Sequence, residues 1–126
     1  MSDKPISQRL QIKPGRSFGL INEPAGYLEM IKPLPEGSRF VPTGEKADVV
    51  QVFVSGMEDF KSRLPAAIDA LIPGGILWVT YPKLTSKLAA DINRDTIWKY
   101  IITLGWQAVA MISVDETWSA LRMKRA

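Results

Sequence analysis

Two stretches decide the fold: Asp48-Val49-Val50-Gln51-Val52-Phe53-Val54, and further on Leu71-Ile72-Pro73-Gly74-Gly75-Ile76-Leu77-Trp78-Val79. The first is a nearly continuous run of branched and aromatic side chains, as expected of a strand covered on both faces. The second joins a helix stop, Pro73-Gly74-Gly75, to another apolar strand, Ile76–Tyr81. Between them Met57, Phe60, Leu64, Ala67, Ile68 and Leu71 recur at helical spacing. Ser55 and Glu58 form a capping-box pattern ahead of that helix, and Pro65 predicts a kink or split near Arg63. Strand, helix and strand of these lengths make a right-handed crossover between parallel strands.

Working outward, Arg16–Asn22 reads as a strand after the Lys13-Pro14-Gly15 turn, with a short helix before it at Pro5–Leu10. Glu23-Pro24-Ala25 opens a short helix capped by Asn22 or Glu23, with Tyr27, Leu28, Met30 and Ile31 as its buried stripe. Residues 33–37 break it, and a strand follows at Ser38–Val41. Downstream, a helix over Asp95–Leu104 ends at Gly105, and Trp98 shares a stripe with Ile101 and Ile102. Gln107–Val114 and Trp118–Lys124 are two final strands, and the short Asp115-Glu116-Thr117 loop makes them an antiparallel hairpin. The expectation is one α/β domain over residues 1–126, with residues 1–13 as an N-terminal extension. It is a three-layer α/β/α sandwich whose sheet of about six strands is mostly parallel.

Composition removes whole classes of chemistry. The 126 residues contain neither cysteine nor histidine. That excludes a disulfide framework, a thiolate nucleophile, a Cys/His zinc site and a Ser-His-Asp relay. The formal charge is +3, and opposite signs alternate along the chain, so no basic stripe predicts a nucleic-acid partner. The start, Met1-Ser2-Asp3-Lys4-Pro5, lacks a signal-like apolar core, and no apolar run reaches membrane-spanning length. The expectation is a cytoplasmic chain without a membrane partner.

In such a sheet, ligands bind beyond the carboxyl ends of the strands, where the strand order reverses. That places Asn22, Glu23, Pro24 and Gly26 on one side of a crevice and Ser55 and Gly56 on the other, with Tyr81 and Lys83 one strand along. Each has a structural alternative: Asn22 and Glu23 as caps, Ser55 with Glu58 as a capping box, Tyr81-Pro82-Lys83 as strand-end punctuation. Lys83, Thr85, Ser86 and Lys87 resemble an anion-contacting loop, but a solvated surface loop is the preferred reading. Asp115 and Glu116 are adjacent hairpin carboxylates, a weak basis for a metal or acid–base pair. No catalytic residue and no metal ligand is assigned.

Asp48–Val54 and Leu71–Val79 resemble the middle of class I S-adenosylmethionine-dependent methyltransferases, in which an acidic residue opens a central strand and a proline-glycine-glycine stop precedes the next. The antiparallel last strand resembles that fold too. The family's first loop carries several glycines and an acidic residue follows its second strand. Here the loop reads Asn22-Glu23-Pro24-Ala25-Gly26, with one glycine, and the later segment Val41-Pro42-Thr43-Gly44 has no acid. A closer resemblance is to a bacterial family of small domains of unknown function with a methyltransferase-like core. It lies at Trp78-Val79-Thr80-Tyr81-Pro82-Lys83, at Asp91-Ile92 and at residues 115–122, and it implies a minimal Rossmann-like domain without an assigned reaction.

Three readings follow. The first is a non-catalytic methyltransferase-like module, with no cofactor assigned, that binds a small molecule or a protein partner. The alternative is an S-adenosylmethionine-dependent methyltransferase with an atypical cofactor loop. The third is an interaction module that forms a homodimer.

Overall fold

The computed structural model describes residues 5–42 and 44–126. Residues 1–4 of the expected extension, and Thr43 of the segment after the second strand, lie outside them. The element order is α1 (Ile6–Arg9), β1 (Ser17–Ile21), α2 (Tyr27–Ile31), β2 (Arg39–Val41), β3 (Ala47–Phe53), α3 (Met57–Asp69), β4 (Leu71–Pro82), α4 (Arg94–Ile102), β5 (Trp106–Ser113) and β6 (Trp118–Arg125).

The six strands form one sheet in the order β2-β1-β3-β4-β6-β5. The first four are parallel; β6 runs antiparallel to both β4 and β5. The expected α/β architecture, with its mostly parallel sheet and closing hairpin, is therefore the one observed. Alternate residues of the central strands feed two cores. Val50, Val52, Leu77 and Val79 pack with Phe60, Leu64, Ile97 and Ile101 from α3 and α4. Phe18, Val49, Phe53 and Trp78 face Leu10, Ile12, Tyr27 and Ile31, from α2 and the segment after α1. Burying both faces is what requires the nearly continuous apolar run of β3.

Several local expectations are corrected. Helix α3 runs through Pro65 without splitting. Pro65 lies on the exposed side, and only its hydrogen bond to the carbonyl of Lys61, itself an exposed residue, is forfeited. The helix ends at Asp69, before the Pro-Gly-Gly stretch, and Leu71 already pairs with Ala47. The register then shifts so that Ile76 pairs with Val49, which makes residues 72–75 a bulge within β4. Met30, Trp98 and Ile102 are about half exposed, whereas Ile31, Ile97 and Ile101 supply the buried stripes.

The bulge explains one glycine. A Cβ on Gly75 would stand 2.9 Å from the Asp48 carbonyl oxygen and 2.8 Å from Leu71 Cδ1. The backbone oxygen cannot swing away as a side chain can. Gly75→Ala should therefore lower stability by about 1–3 kcal/mol, read as a lower urea midpoint at unchanged slope. Asp48 also braces this end of the sheet, accepting the Ser17 amide at 2.8 Å and the Ser17 hydroxyl at 2.9 Å. Those two bonds hold its carboxyl below the usual range.

Candidate functional site

Because β2 and β3 lie on opposite sides of β1, the crossovers leave on opposite faces, and the loops after β1 and β3 open at the reversal point. Asn22, at the end of β1, has φ +60, a left-handed conformation that asparagine tolerates better than most residues. It does not cap α2. Its side-chain amide instead donates to the Phe53 carbonyl at 3.0 Å, tying the ends of β1 and β3 together. Gly26, at φ +81, is the residue immediately before α2. A Cβ there would meet nothing within 4 Å, so the loop is uncovered at this point. Glu23 is exposed, and its carboxylate has no hydrogen bond or ion pair among the described residues. Pro24 uses its carbonyl to accept the Tyr27 amide at 3.1 Å.

On the opposite side the capping box differs from the expected one. The Ser55 amide and hydroxyl both donate to Asp59, not Glu58, at 2.9 and 3.3 Å. Asp59 in turn accepts from Arg63 at 2.8 Å one helical turn on. Gly56 precedes α3 in extended backbone, and the Asp91 carboxylate, from the loop after β4, accepts the Met57 amide at 2.9 Å. A Cβ on Gly56 would lie 2.9 Å from the same carboxylate oxygen. A carboxylate at a helix start satisfies a free N–H and complements the positive end of the dipole. Sequence reading placed Asp91 only within the family resemblance. Its partner lies 34 residues away, so no local spacing could have found it.

Tyr81 and Lys83 take partners on the hairpin rather than at these loops. The Tyr81 hydroxyl approaches Met111 Sδ at 3.2 Å, and burial pushes its pKa up. Lys83 donates to the Ser113 hydroxyl at 2.6 Å, and its backbone amide donates to the Thr117 carbonyl at 2.8 Å. With Asn93, Arg94 and Asp95 at the start of α4 they line a separate cleft of about 410 Å³. The eight candidate residues thus divide between two places: six at the strand-order reversal and two beside the hairpin. Ser86 of the suspected anion loop closes a turn, its hydroxyl donating to the Lys83 carbonyl at 2.8 Å. Asp115 accepts the amides of Thr117 and Trp118 at 2.8 and 2.9 Å, which builds the hairpin turn. No group of three or more potential metal ligands occurs among the described residues. None of the helices described is long and apolar enough to cross a membrane.

No family model matches the sequence, and no curated protein matches it either. Solved structures do match in fold. A complex of DhpI with SAH superposes over 96% of this chain and 82% of its own, with TM-score 0.64 at 10% identity. The ribosomal protein L11 methylase from Lactobacillus delbrueckii subsp. bulgaricus matches over 95% of this chain and 74% of its own, with TM-score 0.59 at 12% identity. The Burkholderia thailandensis 1,6-didemethyltoxoflavin-N1-methyltransferase, with bound 1,6-didemethyltoxoflavin and S-adenosylhomocysteine, matches over 97% of this chain and 77% of its own, with TM-score 0.58 at 13% identity. The core therefore has the Rossmann-like fold that these methyltransferase structures share.

Proposed function

We propose that the crevice between the loops after β1 and β3 binds S-adenosylmethionine, and that the chain is a small methyltransferase with an atypical cofactor loop. One observation carries this reading: at the point of strand-order reversal the loop is uncovered beside Gly26 and presents the unpaired carboxylate of Glu23. An exposed carboxylate suits ribose hydroxyls or an α-ammonium group, and open backbone at a positive-φ glycine allows close approach. Ser55 would contribute a hydroxyl from the opposite loop. When bound, the cofactor would supply an electrophilic methyl group. The chain's own part is to hold and orient the nucleoside end. The fold match to structures solved with SAH supports the reading.

A second reading, the non-catalytic module, draws on a different observation. The Asn22–Phe53 bond and the Asp91 carboxylate occupy polar groups that a cofactor would otherwise use.

Titration calorimetry with S-adenosylhomocysteine tests the cofactor site, and methyl transfer from S-adenosylmethionine separates the two readings. Binding at micromolar Kd, weakened at least about tenfold by Ala25→Trp and several-fold by Glu23→Gln, is the expected result. Ala25 is exposed and lacks a positive φ, so the bulky variant should fold. Absence of heat up to millimolar ligand would leave the non-catalytic reading standing.

A further inference from the structure

A cleft lies at the opposite end of the sheet, where the parallel strands begin. It encloses about 540 Å³, a usual size for a small-molecule site. Its wall is made by the residue before β3, the end of α3, the bulge of β4 and the ends of β5 and β6. We propose that this cleft binds a phosphorylated small molecule carrying more than one anionic group.

Charge is the first argument. Lys46, Arg122, Lys124 and Arg125 line the cleft, against the single carboxylate of Asp69. That local excess equals the +3 of the entire chain, so the remaining surface is balanced. The sequence hid this because the four cations come from two segments far apart in the chain. Packing brings them to one opening.

The second argument is that two of the cations are held in place. The Arg125 guanidinium sits 4.7 Å from the centre of the Trp106 ring, which also lines the cleft. Stacking fixes a guanidinium plane while leaving its edge N–H groups available to an anion. Lys46 donates to the Asp69 carbonyl at 2.8 Å, which keeps its ammonium at the rim.

The third concerns Arg122. Its Nε is buried and has no hydrogen-bond partner among the described residues. A buried donor of this kind ordinarily finds an acceptor. The described residues supply none, and a phosphate oxygen entering the cleft, with a small turn of the side chain, would. Arginine is the residue best matched to phosphate because its fork of donors fits two oxygens at once.

Calorimetry of the full chain at low salt with pyrophosphate and with ADP tests the proposal. The expected result is one site per chain, weakened at least about tenfold by Arg122→Gln and several-fold by Arg125→Gln or Lys46→Gln. Binding should persist in Glu23→Gln, which separates it from the crevice at the other end of the sheet. Lys46 and Arg125 are exposed, so their variants should fold even if Arg122→Gln does not. Three results would overturn the proposal: no heat from either ligand at millimolar concentration, binding left unchanged by all three substitutions, or binding of an oligonucleotide alone.

Discussion

Gln51→Leu should destabilise the protein by roughly 2–4 kcal/mol, although it replaces a polar residue in the core with an apolar one of similar size. Gln51 is fully buried on β3. Its side-chain oxygen accepts the Tyr27 hydroxyl at 2.7 Å, and its amide donates to the Thr80 hydroxyl at 2.8 Å. The relay therefore runs from α2 across β3 to β4. Leucine would leave the Tyr27 hydroxyl, in a residue only 3% exposed, without its acceptor. It would also deprive Thr80 of a donor. Each orphaned group costs its desolvation, about 1–3 kcal/mol, whereas removing all partners together is close to neutral. The triple variant Gln51→Leu, Tyr27→Phe, Thr80→Val should thus regain most of the lost stability in urea unfolding. A stable single variant would mean that the relay contributes nothing. Burial holds the Tyr27 phenol neutral by raising its pKa far above the ordinary value, so no charge enters this core near neutrality.

That relay shows where sequence reading stops. The apolar run around Gln51 located β3 and its double burial correctly, because period and residue type are local properties. One polar residue within it carries no sign of its partners, which lie 24 and 29 residues away. The same limit applies to the candidate site. The reversal point follows from the order of elements, so Asn22 and Ser55 were placed at adjacent strand ends. What their side chains do was not legible. Asparagine before glutamate and proline has the local signature of a cap, but the short α2 starts later, after Gly26, and Asn22 reaches Phe53 instead. Ser55 with Glu58 fits the capping-box spacing, yet Asp59 takes the bonds. The order of strands puts Tyr81 and Lys83 beside the reversal point, because their strand is the next neighbour. Beyond the antiparallel β6, strand β5 offers Met111 and Ser113 as partners, and these draw both side chains the other way.

Trp78→Ala should be the most damaging single substitution. Trp78 is 1% exposed and is among the largest fully buried side chains. Truncating a buried tryptophan to alanine costs about 3–5 kcal/mol in packing and cavity terms. The whole stability of such a domain is of order 5–15 kcal/mol, so one change removes a large share of it. Here the loss extends beyond the cavity. The indole Nε1–H donates to the Leu10 carbonyl at 2.8 Å, 68 residues away. It thereby anchors the segment after α1, whose Leu10 and Ile12 are buried in the same core. Trp78→Phe separates the two contributions. It keeps an aromatic ring but deletes the donor, so it should cost less overall while loosening residues 10–16 selectively. Amide hydrogen exchange should show protection of Ile12 falling more than that of Val50, which packs on the other face of the sheet. Equal loss at both residues would instead make the indole a filler of volume alone, with the N-terminal segment held by its own apolar side chains.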